Sequence, residues 1–346
     1  MALQQLLGIE LPIIQAPMAG VQDSALAIAV SNAGGLGSLP CAMLSLDRLR
    51  AELSKIKSES DKPFNVNFFC HRPPAQSAQR ETAWRKLLAP YYEEFGVDPD
   101  KIAQAPMRSA FSFEAAEVLE EFEAPVVSFH FGLPSRELLA KVKSWGAKIL
   151  SSATTVEEAI WLEERGVDAI IAQGIEAGGH RAMFLSDDAS TQIGTLALLP
   201  RILHVVKVPV IAAGGIADAK GVAAVRMLGA AGAQLGTAYL LCPEATTSPV
   251  HRAALQSSAA GKTVLTNLFS GRPARSIVNR LIRELGPMHS AIPEFPLAAG
   301  ALAPLRANSE SRGSGDFSPL WAGQNTSGCK PISAASLTRE VAADPN

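Results

Sequence analysis

The sequence predicts an α/β protein: a closed (β/α)8 TIM barrel with a helical insertion after the third strand and a C-terminal extension over the barrel mouth. Three observations predict it. Eight short runs rich in Val and Ile recur along the chain, each bounded by Pro or Gly. Apolar residues predominate in most of them, as in strands buried on both faces of a parallel sheet. Six of the seven spaces between them carry helical periodicity, so strand and crossover helix alternate as in a closed barrel.

In chain order, strands are expected at residues 12–17, 35–40, 64–69, 125–130, 148–153, 169–174, 209–214 and 232–237. Helices are expected at 24–33, 46–57, 135–145, 155–166, 194–206 and 217–228. The space between the third and fourth strands, 71–124, is too long for one crossover helix. Pro73, Pro74, Pro90, Pro99 and Pro106 divide it into several short helices, an insertion above the barrel. After the eighth strand a helix is expected at 275–285, then a stretch rich in Pro, Gly and Ala at 286–304 and a polar segment at 308–328. This tail is expected to lie over the mouth and to lose order towards its end. The chain thus divides into a barrel, 1–240, and an extension, 241–346. A doubly wound sheet with a second domain is disfavoured because no Gly-x-Gly-x-x-Gly follows the first strand.

Lys and Arg number 31 against 33 Asp and Glu, a net charge of −2, and the cations are scattered. Nucleic acid and anionic membrane surfaces are therefore not expected partners. The cysteines, Cys41, Cys70, Cys242 and Cys329, are too far apart for a zinc or redox motif and read as reduced thiols. The first residues lack the pattern of a signal peptide, and no run reaches about 18 apolar residues. A cytoplasmic location is expected.

The chemistry-bearing residues fall at the C-terminal ends of the strands, where barrel enzymes place their sites. The seventh run ends in Ala213-Gly214-Gly215-Ile216 and the eighth in Gln234-Leu235-Gly236-Thr237. Loops after these two strands commonly hold a phosphate, because glycine lets backbone N–H groups converge on an anion. Turns that need glycine for backbone reasons alone are the plain alternative. The sixth run leads into Gln173-Gly174-Ile175-Glu176-Ala177-Gly178-Gly179-His180-Arg181, which brings an amide, a glycine-rich turn, a carboxylate and an imidazole together. Gln173 can hydrogen-bond a ring edge, and His180 can act as a base or orient an anion.

The fourth run ends in Ser128-Phe129-His130-Phe131, so a second imidazole arrives at the same face. Without an HExxH motif or a carboxylate triad, no metal site is expected. Ala16 and Met18 close the first strand, where a small residue admits a flat ring and a thioether can pack on it. Asn67, at the end of the third, is a candidate ligand contact. Arg272 and Arg275 flank a turn in the tail, where either can meet substrate or phosphate or form a solvated basic turn.

The segments PIIQAPMAG, NVNFF, SFHFG, SATTVEEA, QGIEAGGHR, VIAAGGIAD, QLGTAYL and SGRPAR, with GSGDFSPLWAGQN near the end, resemble in this order the nitronate monooxygenases of class I type, once called 2-nitropropane dioxygenases. The resemblance covers nearly the whole chain, and SFHFG with EAGGHR is its most specific pair. It implies an FMN enzyme that oxidises alkyl nitronates, such as propionate 3-nitronate, with O2 to a carbonyl compound and nitrite. Metal and reduced nicotinamide play no part, and the associated role is nitroalkane detoxification.

The resemblance carries the catalytic role beside the flavin onto His180 and places His130 in the same pocket. It carries FMN contacts onto Ala16, Met18, Asn67, Gln173, Gly178, Gly215 and the turn Gln234, Leu235, Gly236 and Thr237, to which the glycine loops add Gly179 and Gly214. Ala182 stands where the family has Gly. The expected partners are a small nitronate and O2, with the chain a monomer or homodimer. The alternative is an FMN-dependent reductase that takes hydride from NAD(P)H, similar to enoyl-acyl-carrier-protein or quinone reductases. Such an enzyme needs room for a nicotinamide on the flavin.

Overall fold

A computed structural model describes residues 2–102 and 110–345, so Pro106 lies outside it. The strands are β1 (Ile13–Gln15), β2 (Gly37–Pro40), β3 (Phe64–Phe69), β4 (Val126–His130), β5 (Lys148–Ala153), β6 (Ala169–Gln173), β7 (Gly179–His180), β8 (Val210–Ala213), β9 (Gly232–Leu235), β10 (Thr263–Thr266) and β11 (Ala274–Ile277). Eight of them pair in parallel in the order β1-β9-β8-β6-β5-β4-β3-β2. The ring closes where Gln15 N donates to Leu36 O at 3.0 Å and Leu36 N to Ile13 O at 2.9 Å. The expected (β/α)8 barrel is present. β7, β10 and β11 form a separate antiparallel sheet.

Inside the barrel, Ile14, Leu36, Val126, Leu150, Ile171 and Ile211 pack with Leu3 and Leu7 of the helix Leu3–Leu7, which plugs the N-terminal end. A Cβ at Gly232 would lie 2.7 Å from Pro12 O and 2.6 Å from Leu3 Cδ2, so the close approach of backbone there requires glycine. Outward-facing strand residues such as Val66, Val127 and Ile170 join the apolar faces of the helices in one larger core. Asp23, Ser45, Ser135, Thr155 and Asp218 cap five of those helices, each accepting from a backbone N–H two or three residues on. Among the described residues no helix is long and apolar enough to cross a membrane.

Three expectations are corrected. In the described residues of the insertion, one long helix, Ala78–Phe95, stands in place of the expected short ones and runs straight through Pro90, followed by the 3-10 turn Pro99–Lys101. The helix Phe113–Glu121 is the barrel's own crossover from β3 to β4, packed between Leu46–Glu59 and Arg136–Ser144. A proline inside a helix costs about 3 kcal/mol, and here packing outweighs it. Trp84, Leu88, Tyr91 and Tyr92 bury against the tail helix Ala298–Ser311, with Trp84 Nε1 donating to Ala298 O at 3.1 Å and Tyr92 Oη to Ala301 O at 2.7 Å.

Secondly, the helix expected at 275–285 begins as β11, and only Arg280–Leu285 is helical, capped by Asn279. Thirdly, the described part of the tail ends in a packed helix where loss of order was expected. The helix Ala334–Ala342 buries Ala334, Leu337 and Val341 and packs against Ser24–Asn32 and Ala219–Met227, taking the place of the eighth barrel helix. Tyr239 Oη and Thr338 Oγ1 are hydrogen-bonded there at 2.9 Å.

Candidate functional site

A cavity of about 450 Å³ opens at the C-terminal ends of the barrel strands. Ala16, Met18, Asn67, His130, Gln173, Gly178, Gly179, His180, Gly214, Gly215, Gln234, Gly236 and Thr237 all line it. Of the expected catalytic and cofactor contacts, Leu235 does not: it turns outward into the wall, 1% exposed, and contributes its carbonyl, which accepts from Ala16 N at 2.8 Å.

Asn67 and Ser128 line the cavity and belong to a buried polar cluster in which Asn65 Oδ1 has no partner among the described residues. Asn65 Nδ2 donates to Ser38 Oγ and Ser128 Oγ, both at 2.9 Å, and Asn67 Nδ2 donates to Ser128 Oγ at 2.9 Å. At the end of β4, burial pushes the His130 imidazole down to about 3, and the charges of Arg272 and Arg181 add to that. His130 is therefore neutral near pH 7, and its Nε2 donates to the carbonyl of His180 at 3.3 Å.

His180 sits on the two-residue strand β7, held antiparallel to β11 by pairing with Ala274. Its Nε2 and Ser270 Oγ are hydrogen-bonded at 2.9 Å. Around the ring stand Phe295, Trp321, Phe131 and Phe69, with centroids 5.3, 5.5, 6.0 and 6.3 Å away. Such walls exclude water and strengthen any electrostatic contact the imidazole makes. Gln173 does not offer its whole amide to a ligand: Nε2 donates to His180 O at 3.1 Å, and Oε1 accepts from Ala182 N at 2.9 Å.

Gly214 and Gly215 adopt φ of +115° and +74°, values that L side chains rarely reach. Glu176, the carboxylate of the glycine-rich loop, serves the fold: it accepts from Thr195 N at 2.9 Å and from Thr195 Oγ1 at 2.8 Å, capping a helix whose N-cap, Gly194, has no side chain. The tail then clamps both glycine loops. Gly323 N donates to Thr237 Oγ1 at 2.9 Å, Gln324 N to Glu176 O at 2.9 Å and Asn325 Nδ2 to Gly215 O at 3.0 Å. A Cβ at Gly178 would lie 2.6 Å from the backbone of Ala322 and Gly323, so this approach requires glycine.

These features suit a flat phosphorylated ligand. Backbone turns are free of side chains at one end, and Ala16 and Met18 form a low floor, where a Cβ at Gly236 would come within 3.4 Å of Ala16 Cβ. Gln234 Oε1, buried and without a partner among the described residues, needs a donor.

Arg272 and Arg275 are placed elsewhere. Arg272 lies 4.2 Å above the Phe131 ring and donates to Met183 O, while Arg275, 4% exposed, donates to Ile175 O at 2.9 Å. Neither lines the cavity. Ser270, His251, Phe295 and Trp321 do belong to its surroundings and carry no strand-end signal in the sequence, because the tail brings them in.

Known proteins match this chain from end to end. A family model described as nitronate monooxygenase matches residues 1–344. A nitronate monooxygenase from Pseudomonas aeruginosa is 42% identical over 97% of both chains. One from Paraburkholderia phytofirmans is 44% identical over 98% of this chain and 93% of its own. Among solved structures, a nitroalkane oxidase from Streptomyces ansochromogenes is 38% identical with a TM-score of 0.88, covering 99% of this chain and 97% of that one. With the barrel, the histidine-lined cavity and these matches in agreement, the chain belongs to the nitronate monooxygenase family of oxidoreductases.

Proposed function

We propose that this chain binds flavin mononucleotide in the strand-end cavity and oxidises alkyl nitronates with O2 to a carbonyl compound and nitrite. The observation that carries the reading is the convergence of His180 and His130 on a cavity walled by two glycine loops. When bound, the flavin supplies an electron acceptor for the nitronate and reactivity towards O2. Backbone N–H groups of Gly215, Gly236 and Thr237 would hold the phosphate, and the tail contacts at Gly323 and Asn325 keep those loops in place. Ala16 and Met18 would support the ring, and Gln234 Oε1 and the amide oxygen of Asn67, whose nitrogen is held by Ser128, would meet its polar edge.

A nitronate is already an anion, so the site needs a donor rather than a strong base. His180, tethered through Nε2 to Ser270, presents its imidazole to that charge within aromatic walls. His130 stays neutral and fixes the His180 backbone, which sets where the ring can stand. A neutral nitroalkane would first have to lose a carbon-bound proton to His180, a slower secondary activity. Propionate 3-nitronate is the substrate we put first, with detoxification as the role and the cytoplasm as the place.

The test is spectral. The purified protein is expected to be yellow, to change its flavin absorbance when an alkyl nitronate is added without air, to recover when O2 is admitted, and to ignore NADPH. Bleaching by NADPH with an inert nitronate would instead make it a reductase. A colourless protein that binds no added FMN would end the cofactor assignment.

A further inference from the structure

Immediately after His180 the chain buries a guanidinium completely: Arg181 is 0% exposed, and it turns away from the cavity into the barrel wall. Its Nη1 donates to Gly174 O and its Nη2 to Gln173 O, each at 2.6 Å, while Nε donates to Gln192 Oε1 at 2.9 Å. Burial and the neighbouring charge of Arg275 lower its proton affinity to about 9, and Glu176 and Glu158 oppose that, so the group is charged at neutral pH. A buried charge is a poor way to fill space, since an apolar side chain of similar volume packs as well or better. The useful property here is the rigid fork of donors.

The bonds continue in both directions. Gln192 Nε2 donates to Thr154 Oγ1 at 3.1 Å, and Thr154 donates through N and Oγ1 to Glu158 Oε2, both at 2.7 Å. Glu158 Oε1 accepts from Phe184 N at 2.6 Å and Leu185 N at 3.3 Å, just beyond Arg181. On the other side, Gln173, whose carbonyl Arg181 holds, spends its own amide on His180 O and Ala182 N. The backbone that leads out of His180 is thus tied to the ends of β5 and β6, with Arg181 and Gln173 next to the histidine and Gln192 and Glu158 beyond them.

We propose that Arg181 is a positioning residue: by gripping the carbonyls of Gln173 and Gly174 it sets where the His180 imidazole stands over the cavity. The proposal rests on the nitronate reading above. Misplacement of a reacting group by about 1 Å costs about a hundredfold in rate, so a slackened grip lowers kcat more than it weakens binding.

The experiment uses the flavin-loaded enzyme and substitutes Gln192, which touches Arg181 and not His180. Gln192→Leu is expected to lower kcat about tenfold with KM and flavin retention within about twofold, and Gln192→Glu, which restores an acceptor, to recover kcat to within about threefold. In protein labelled with 15N-histidine, the His180 imidazole resonance, identified by its loss in His180→Asn, is expected to move in Gln192→Leu and return in Gln192→Glu. If Gln192→Leu lowers the melting temperature but leaves kcat and that resonance at wild-type values, Arg181 is structural only and the proposal falls. A folded Arg181→Met variant with wild-type kcat would overturn it equally. Should wild type oxidise no nitronate, the proposed function fails instead, and the resonance comparison still decides the positioning role.

Discussion

Two imidazoles beside the cavity are held neutral by their surroundings. Burial pushes His130 down to about 3 and His251 to about 4. Nearby guanidiniums reinforce this, Arg272 and Arg181 for the first and Arg306 and Arg252 for the second, while hydrogen bonds to the carbonyls of His180 and Trp321 oppose it. In the unfolded chain a histidine takes up a proton near pH 6.5; in the folded chain these two refuse it until far lower pH. Their contribution to stability is therefore complete above about pH 6.5 and is lost as pH falls towards 4, at up to about 1.4 kcal/mol per pH unit for each imidazole. Replacing His251 by Gln should flatten the fall of unfolding free energy between about pH 6.5 and 4, as followed by urea denaturation. An unchanged slope would mean that His251 protonates freely in the fold. At this scale much was legible: His130, His180, Asn67 and the glycines announced themselves by standing where strands end. Ser270, His251 and Trp321 did not, because their only signal is proximity in space.

Among the elements, the two glycine loops follow from local backbone chemistry, and the clamp over them does not. Gly215 holds φ +74°, with a hypothetical Cβ 3.5 Å from Glu176 Cβ, so Gly215→Val combines a strained backbone with a side chain at the cavity wall. Flavin retention should be abolished, read as loss of absorbance per protein after gel filtration, while far-UV circular dichroism stays near wild type. Normal retention would place the phosphate elsewhere. Glu176 shows why the sixth loop misled: a carboxylate among glycines reads as chemistry, yet it replaces the cap that Gly194 cannot supply. Likewise Pro90 reads as a helix break, because local rules cannot see the packing of Trp84 and Tyr92 on Ala298–Ser311 that keeps the helix whole.

At the scale of the molecule, the barrel wall is completed by the last helix in the chain. Ala334–Ala342 stands beside Ser24–Asn32, and Leu337, 1% exposed, lies in the same core as Val30 and Tyr239. Leu337→Asp should cost about 3 kcal/mol or more, since it removes a buried side chain and adds an unpaired charge. Thermal unfolding followed by circular dichroism should show a clearly lower midpoint. A midpoint at the wild-type value would mean that the helix is an ornament on a barrel already closed. The second core, between Ala78–Phe95 and Ala298–Ser311, joins two segments far apart in sequence and forms part of the cavity's outer wall through Leu302 and Phe317.

By itself the sequence determined what short range decides: eight buried strands, the helices between them, the glycine turns and the two imidazoles at strand ends. Apolar period and backbone freedom are properties of a few adjacent residues, so they survive reading in one dimension. Only the tertiary structure decided that β11 pairs with β7 to seat His180, that the tail segment around Gly323 locks the glycine loops, and that the last helix closes the wall. Those contacts join residues more than eighty positions apart, and no local pattern encodes which distant surface a short amphipathic helix or a bare loop will cover.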